Sequence, residues 1–466
     1  MQEAVQPCQA PSFTGRIALL AALTFLIQAS DTSLLYLSLP TIAQALHLPL
    51  RALDGLALSY LVAVVLTTPI SPWLMTRYGE QRVYQLALGL FMLAVLGCAR
   101  ADSLPALCLW RLVQGSGGAL MLASARVLLL KTVPDDEQTR QLNRVTAIGL
   151  LGTLLGPVCG GIGLTLMPWR GLFLLPLPLC MLCLLASRRC AVSVITDTPR
   201  FDIAGYLVVA PALLLCLAVV TPVGQILLSP IGLLPACITL GVLATLSVWR
   251  RLKHPMDGLF DSAVLAHPAY RISLLGNALV RICFSSTPLL LSLRVQTSAT
   301  PATASMVLLA FAGGALSVRF FLSQALERLG YRRLLITGCV LCAVLLVAMS
   351  APDVPQTSWW VLSLAFGLGL TSSAIYCSLN TLAFSTMSDN SYGAGNSLLT
   401  LVQLISMMLG ITISFAFLAH RAVAWPEPVT ESYGALFRLM GYGLLLSAAL
   451  FSRLSKAQGI RRAATG

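Results

Sequence analysis

Asp31 stands inside "LLAALTFLIQASDTSLLYLSLP", residues 19–40, an apolar stretch with no other charged residue. A carboxyl in such a setting is costly unless it is paired or hydrated, so it is a candidate for function by default. At 1.5 Å per residue it comes roughly 20 Å above the inner end of its helix. Arg111, counted from the outer end of another apolar run, comes to about the same depth, which predicts an Asp31–Arg111 contact. Burial and a neighbouring guanidinium pull on a carboxyl's proton in opposite directions, the arrangement a proton carrier needs. Taking up a proton would release Arg111 to a substrate or to another helix. A fixed ion pair that merely pins two helices together is the plainer alternative.

Arg281 and Arg319 also fall inside apolar runs, whereas Arg126 and Arg438 lie near run ends, where long side chains reach the interface. Set against the single acid Asp31, this surplus of positive charge favours an anionic ligand, such as a carboxylate, over a cationic one. Capping of carbonyls at broken helices is the competing use of Arg281 and Arg319. Gln28, Gln114, Asn277, Asn380, Asn396 and Gln403 are the remaining polar candidates within the apolar runs. Gln28, Gln114, Arg281, Asn380 and Gln403 form the expected substrate-binding set, although such amides also join helices to one another.

Other chemistries find no support. Of the thirteen cysteines, Cys180/Cys183 and Cys339/Cys342 have CxxC spacing, but no second pair or histidine cluster accompanies either. Packing explains them, and neither a metal nor a cofactor is expected. "VQGSGGAL" lacks the Lys-Ser/Thr of a phosphate loop and lies within an apolar run. Paired catalytic carboxylates are also missing, so an enzyme is not expected.

The elements that must position these residues are membrane helices. The 466 residues are 57% hydrophobic and 10% charged, far from the composition of a soluble domain. Apolar runs long enough to cross a bilayer recur along the chain. Fourteen spans are expected: 17–38, 54–75, 83–99, 104–128, 145–167, 170–187, 203–220, 227–249, 273–293, 303–324, 334–350, 358–379, 396–419 and 433–452. The net charge of +13 lies in short loops between them, which points to membrane orientation and not to nucleic acid. Basic residues crowd one side, including Arg188, Arg189, Arg250, Arg251, Arg332 and Arg333, which places both termini in the cytoplasm. The first run continues past Asp31 to Pro40, so it reads as a retained helix and not as a cleaved signal.

"TRYGEQR" (76–82) and "ERLGYRR" (327–333) share Arg-x-Gly-x-x-Arg at an offset of 251 residues. Each falls between the second and third span of a six-span group. The chain therefore reads as a cytoplasmic N-terminus (1–16), an N-terminal six-helix bundle (17–187), two inserted helices with their loops (188–272), a C-terminal six-helix bundle (273–452) and a cytoplasmic tail (453–466). Duplicated halves are a common way to make a site that can face either side of a membrane. "GLLGTLLGPVCGG" (149–161) spaces Gly149, Gly152, Gly156 and Gly160 so that, with Gly163, they fall within an arc of roughly 80°. One helix face is thus bare, which suits close approach and sliding, and Pro157 adds a candidate kink.

These motifs resemble those of the major facilitator superfamily, in particular the fourteen-helix branch of its drug:proton antiporters. Gly149, Gly156, Pro157, Gly160 and Gly161 match that branch's antiporter motif. "RLVQGSGGA" (111–119) is similar to its Arg-x-x-Gln-Gly-x-Gly motif, and "SDTSLLYLSLP" (30–40) to its Asp-x-Thr … Leu-Pro motif. "RFDIAGYL" (200–207) looks like the opening of its seventh helix. "SLNTLAF" (378–384) and "GNSLLTLVQLISMMLG" (395–410) resemble the MdtD-type exporters of multiple drugs or metabolites.

The resemblance implies an all-α polytopic fold of two six-helix bundles with two extra central helices. It further implies a monomeric, cofactor-free exporter in a bacterial cytoplasmic membrane, surrounded by lipid and exchanging small molecules for protons. An importer or symporter of the same fold, and a non-transporting membrane sensor, are the alternatives.

The cytoplasmic loop motif departs from the family at Pro72, where glycine is usual, and at Thr76, where an aspartate is usual. The motif retains Arg77, Gly79 and Arg82, and its second copy has Glu327, Arg328 and Gly330. Glu327 is the residue expected to supply the missing acid. Pro176 replaces a usual asparagine.

Overall fold

The computed structural model describes residues 11–48, 53–133, 135–188, 267–351, 359–384, 389–424 and 429–454. Helices follow one another directly: α1 Pro11–Ala45, α2 Asp54–Thr67, α3 Ser71–Tyr78, α4 Glu80–Arg100, α5 Leu104–Thr132, α6 Asp135–Leu166, α7 Trp169–Leu174 and α8 Leu177–Ser187. After the undescribed stretch come α9 Pro268–Phe284, α10 Thr287–Gln296, α11 Pro301–Ser317, α12 Leu322–Met349, α13 Trp359–Phe384, α14 Asp389–Ala424 and α15 Val429–Phe451. Hydrocarbon offers the backbone no hydrogen bonds, so apolar runs of this length satisfy their amides internally as helices. Twelve helical spans among the described residues are long and apolar enough to cross a bilayer. The two further spans expected at 203–220 and 227–249, and the "RFDIAGYL" segment, lie outside the described residues.

Breaks within spans have local causes. The sixth span splits into α7 and α8 at Leu175–Pro176, where Pro178 follows at the head of α8. The span Pro268–Gln296 splits at Ser285–Ser286, ahead of Pro288. There Ser285 donates to the Met407 carbonyl (3.2 Å) and Ser286 shares a 2.7 Å hydrogen bond with Ser414. Ser103 and Thr300 cap α5 and α11, each followed by a proline within the first turn.

The helices group into two compact units, the first holding α1, most of α2 and α3–α8, the second holding α9–α15. Ile17, Leu20, Tyr84, Phe91, Met121, Leu128 and Cys180 form the apolar core of the first unit, and Thr24 bonds Tyr84 across it (2.8 Å). In the second unit, α11 and α13 touch backbone to backbone. A side chain on Gly314 would collide with the Phe366 carbonyl, and one on Gly369 with the Phe311 carbonyl.

Candidate functional site

The first unit brings Asp31 on α1 against α5. Arg111 donates from Nη1 to Asp31 Oδ2 at 2.7 Å, and Gln114 donates from Nε2 to Asp31 Oδ1 at 3.0 Å. Arg111 and Gln114 are three residues apart and so share a face of α5. Asp31 is 3% exposed and Arg111 1%. Tyr60 from α2 and Phe173 from α7 present their rings to the guanidinium, at 5.8 and 5.0 Å, while its Nε has no hydrogen-bond partner.

The glycines of "RLVQGSGGA" make this approach possible. A side chain at Gly115 would strike Tyr60 and Ala63 of α2, one at Gly117 the backbone of α4, and one at Gly118 the side chains of Gln28 and Tyr60. Two expected roles change here. Gln114, expected among the ligand-binding residues, is fully buried, and its Oε1 also accepts from the Cys98 thiol at 3.9 Å. It therefore belongs to the ion pair. Gln28 donates to the Tyr60 hydroxyl at 2.9 Å and so braces an aromatic wall of Arg111.

The bare face of α6 lies against the same helix that carries Asp31. Side chains added at Gly149, Gly152, Gly156 and Gly160 would meet, in order, Phe25, Leu26, Ser30 with Ser33, and Leu34 with Leu37, all on α1. Pro157 and Gly161 are buried beside them, and α6 runs through Pro157 as one helix.

The second unit gathers a separate polar group. Gln403 on α14 donates to Asn277 Oδ1 on α9 (3.3 Å) and to Asn380 Oδ1 on α13 (2.8 Å). One turn from Asn277, Arg281 lies over the Tyr376 ring at 4.5 Å, and Tyr376 is one turn from Asn380. Arg319, expected at depth, is instead exposed in a short 3-10 turn after α11, and Arg438 is exposed as well. The side chain of Asn396 lies outside the described residues.

The two copies of the loop motif share an unusual backbone. Gly79 has φ 84°, ψ 142° and Gly330 has φ 69°, ψ 165°. They are the only positive-φ glycines among the described residues, in a region that side chains avoid. Thr76 donates to the Trp73 carbonyl (2.9 Å), Arg77 covers the Trp73 ring, and Arg82 and Arg328 are exposed.

Glu327, expected to supply the missing acid, is exposed and makes no ion pair among the described residues. The buried acid of the loop is Glu80, 3% exposed and paired with Lys131 of α5. Its place at the first residue of α4, beside Gly79, is the signal that could have marked it, because helix N-termini favour acids. Arg294, one residue past the expected span 273–293, is also buried. It caps the end of α12 by donating to the Met349 and Ala351 carbonyls. Among the described residues, no group of three or more His, Cys, Asp or Glu could hold a metal ion.

The profile of the Major Facilitator Superfamily matches residues 21–411. The chain belongs to this superfamily. It is thus a membrane-embedded transporter and not a member of an enzyme family. Relatives named "Putative multidrug resistance protein MdtD" from Yersinia pestis (strain Pestoides F) and Yersinia enterocolitica serotype O:8 are 30% and 29% identical, and each alignment covers 95% of this chain and 96% of the relative. Two solved structures share the superfamily fold at low identity. A D-xylose–proton symporter superposes with TM-score 0.67, 14% identity and coverage of 96% of this chain and 99% of that one. A peptide transporter POT in complex with sulfate gives 0.70, 15%, 96% and 95%.

Proposed function

We propose that this superfamily member exports small organic compounds, drugs or metabolites, across a bacterial cytoplasmic membrane in exchange for protons. The observation that carries this reading is Asp31, a buried carboxylate with each oxygen held by a side chain of a different turn of α5. A proton arriving on Asp31 removes the charge that compensates Arg111. Leaving a buried guanidinium uncompensated costs several kcal/mol, so the unit must hydrate, rearrange or accept an anion. Asp31 rides on α1, and α1 packs on the glycine face of α6. Gly149, Gly152, Gly156, Pro157, Gly160 and Gly161 form the surface along which α1 shifts when its charge changes.

Export, as opposed to import, rests on the antiporter-type motif and on the MdtD relatives. The working transporter is a monomer with two six-helix halves, 17–187 and 273–452, the segment 188–272 between them and both termini cytoplasmic. The proton gradient drives it without a cofactor. Thr76, Arg77, Gly79, Arg82, Glu327, Arg328 and Gly330 line its cytoplasmic loops, Arg281 and Asn380 face the substrate, and Gln403 holds Asn380 in place.

Proteoliposomes loaded with a pH-sensitive dye test this. Substrate added to the wild-type protein should move protons in the opposite direction, and Asp31→Asn should abolish that movement. Proton-coupled flux that survives Asp31→Asn, or protons that travel with the substrate, would overturn the proposal.

A further inference from the structure

Three arginines within the membrane helices differ in what satisfies them. Arg111 has Asp31. Arg294 has two helix-terminal carbonyls. Arg281 has neither: it makes no ion pair among the described residues, its Nε is buried without a hydrogen-bond partner, and the Tyr376 ring lies against it. The Tyr376 hydroxyl is likewise buried without a partner. Carbonyl capping, the structural explanation for an intramembrane arginine, therefore accounts for Arg294 and leaves Arg281 unexplained.

We propose that Arg281, Tyr376 and Asn380 form an oxyanion site in the second unit that takes a carboxylate of the transported compound. This deepens the transporter reading above and rests on it for the word "transported". The amide network sets the polarity of the site. Gln403 spends its NH2 on Asn277 Oδ1 and Asn380 Oδ1, and Asn277 spends its own NH2 on the Ser273 carbonyl (3.2 Å). Asn380 thus has its oxygen occupied and its NH2 left to donate. Arg281, with its N–H edge, and Tyr376, with its hydroxyl, add a positive charge and two further donors. Burying a cation and unsatisfied donors is costly, and an anion with several acceptor oxygens satisfies all of them together. Stacking on Tyr376 holds the guanidinium plane in place, which suits the forked geometry of carboxylate recognition. Gln403 acts as a positioning residue, because it turns Asn380 without spending that residue's donors.

Equilibrium binding to purified protein tests this without any proton gradient. The protein is placed in nanodiscs of phosphatidylcholine, so that no anionic lipid headgroup competes. Succinate, benzoate, inorganic phosphate and tetraphenylphosphonium are titrated by calorimetry. At least one carboxylate should bind. Arg281→Gln should weaken that binding roughly 10- to 100-fold, Arg281→Lys less, and Tyr376→Phe by several-fold. Arg281→Lys and a size-exclusion profile guard against simple misfolding.

Binding of phosphate alone, preference for tetraphenylphosphonium, unchanged carboxylate affinity in Arg281→Gln, or no carboxylate binding at all would each overturn the proposal. Carboxylate binding without proton movement in vesicles would instead tell against the exchange mechanism and leave this site standing.

Discussion

Asp31 and Arg111 are not equivalent partners, and the difference is measurable. Asp31→Asn strands a guanidinium that is 1% exposed and keeps its charge at any working pH. Removing one partner of a buried pair in this way costs about 3–5 kcal/mol. Arg111→Gln strands a carboxylate instead, which still accepts from Gln114 and has an exit the guanidinium lacks, since it can take a proton. That change should cost about 1–3 kcal/mol, and less as the pH falls, because the protonated acid needs no counter-ion. The double variant leaves no stranded charge, so its cost should fall short of the sum of the two by about 1–3 kcal/mol.

Thermal unfolding followed with a thiol-reactive fluorophore, in variants that lack the cysteines outside the first unit, reads this unit, because Cys98, Cys180 and Cys183 are buried in it. Wild type should unfold last, then Arg111→Gln, then Asp31→Asn, with acid narrowing only the gap of Arg111→Gln. Additive costs, or an Arg111→Gln variant at least as unstable as Asp31→Asn, would refute the argument.

Three further outcomes follow from packing. A side chain at Gly156 would lie 2.9 Å from the Ser30 carbonyl oxygen, so Gly156→Val should cost about 1–3 kcal/mol and slow exchange in vesicles more than it lowers protein yield. Gly79→Ala and Gly330→Ala should each cost about 1–3 kcal/mol in the same unfolding assay, whereas Gly89→Ala, with nothing near it, should not destabilise. Arg294→Lys should lower the unfolding midpoint reported by buried Cys339 and Cys342, since one ammonium is a poor match for two carbonyls served by a planar fork.

Much of this architecture is legible in the residues because a membrane narrows the choices. Counting depth along straight helices was enough to expect that Asp31 meets Arg111, and the two are hydrogen-bonded in the structure. The Arg-x-Gly-x-x-Arg repeat was visible as text, and Gly79 and Gly330 share the backbone conformation that only glycine tolerates well. Polar side chains were harder to assign. Gln114 read as a ligand residue because an amide in an apolar run has many uses, and only the packing of α5 on α1 turns it to Asp31. Glu80 carries no such signal, since it stands four residues past Thr76, where the family has its acid, while Glu327 satisfies the pattern and faces outward.

Hydropathy and run length by themselves determined that the chain crosses a membrane as helices, and the likeness of its motifs to known ones pointed to the superfamily. Those properties are local, since each helix satisfies its own backbone before it meets a neighbour. Which arginine is neutralised, which caps a helix and which stands open is a different kind of fact. Arg111, Arg294 and Arg281 each follow apolar residues in the sequence, and their fates diverge only because α1, the end of α12 and the Tyr376 ring happen to lie within a few ångströms of them. Charge compensation acts across helices, so tertiary packing alone decides it.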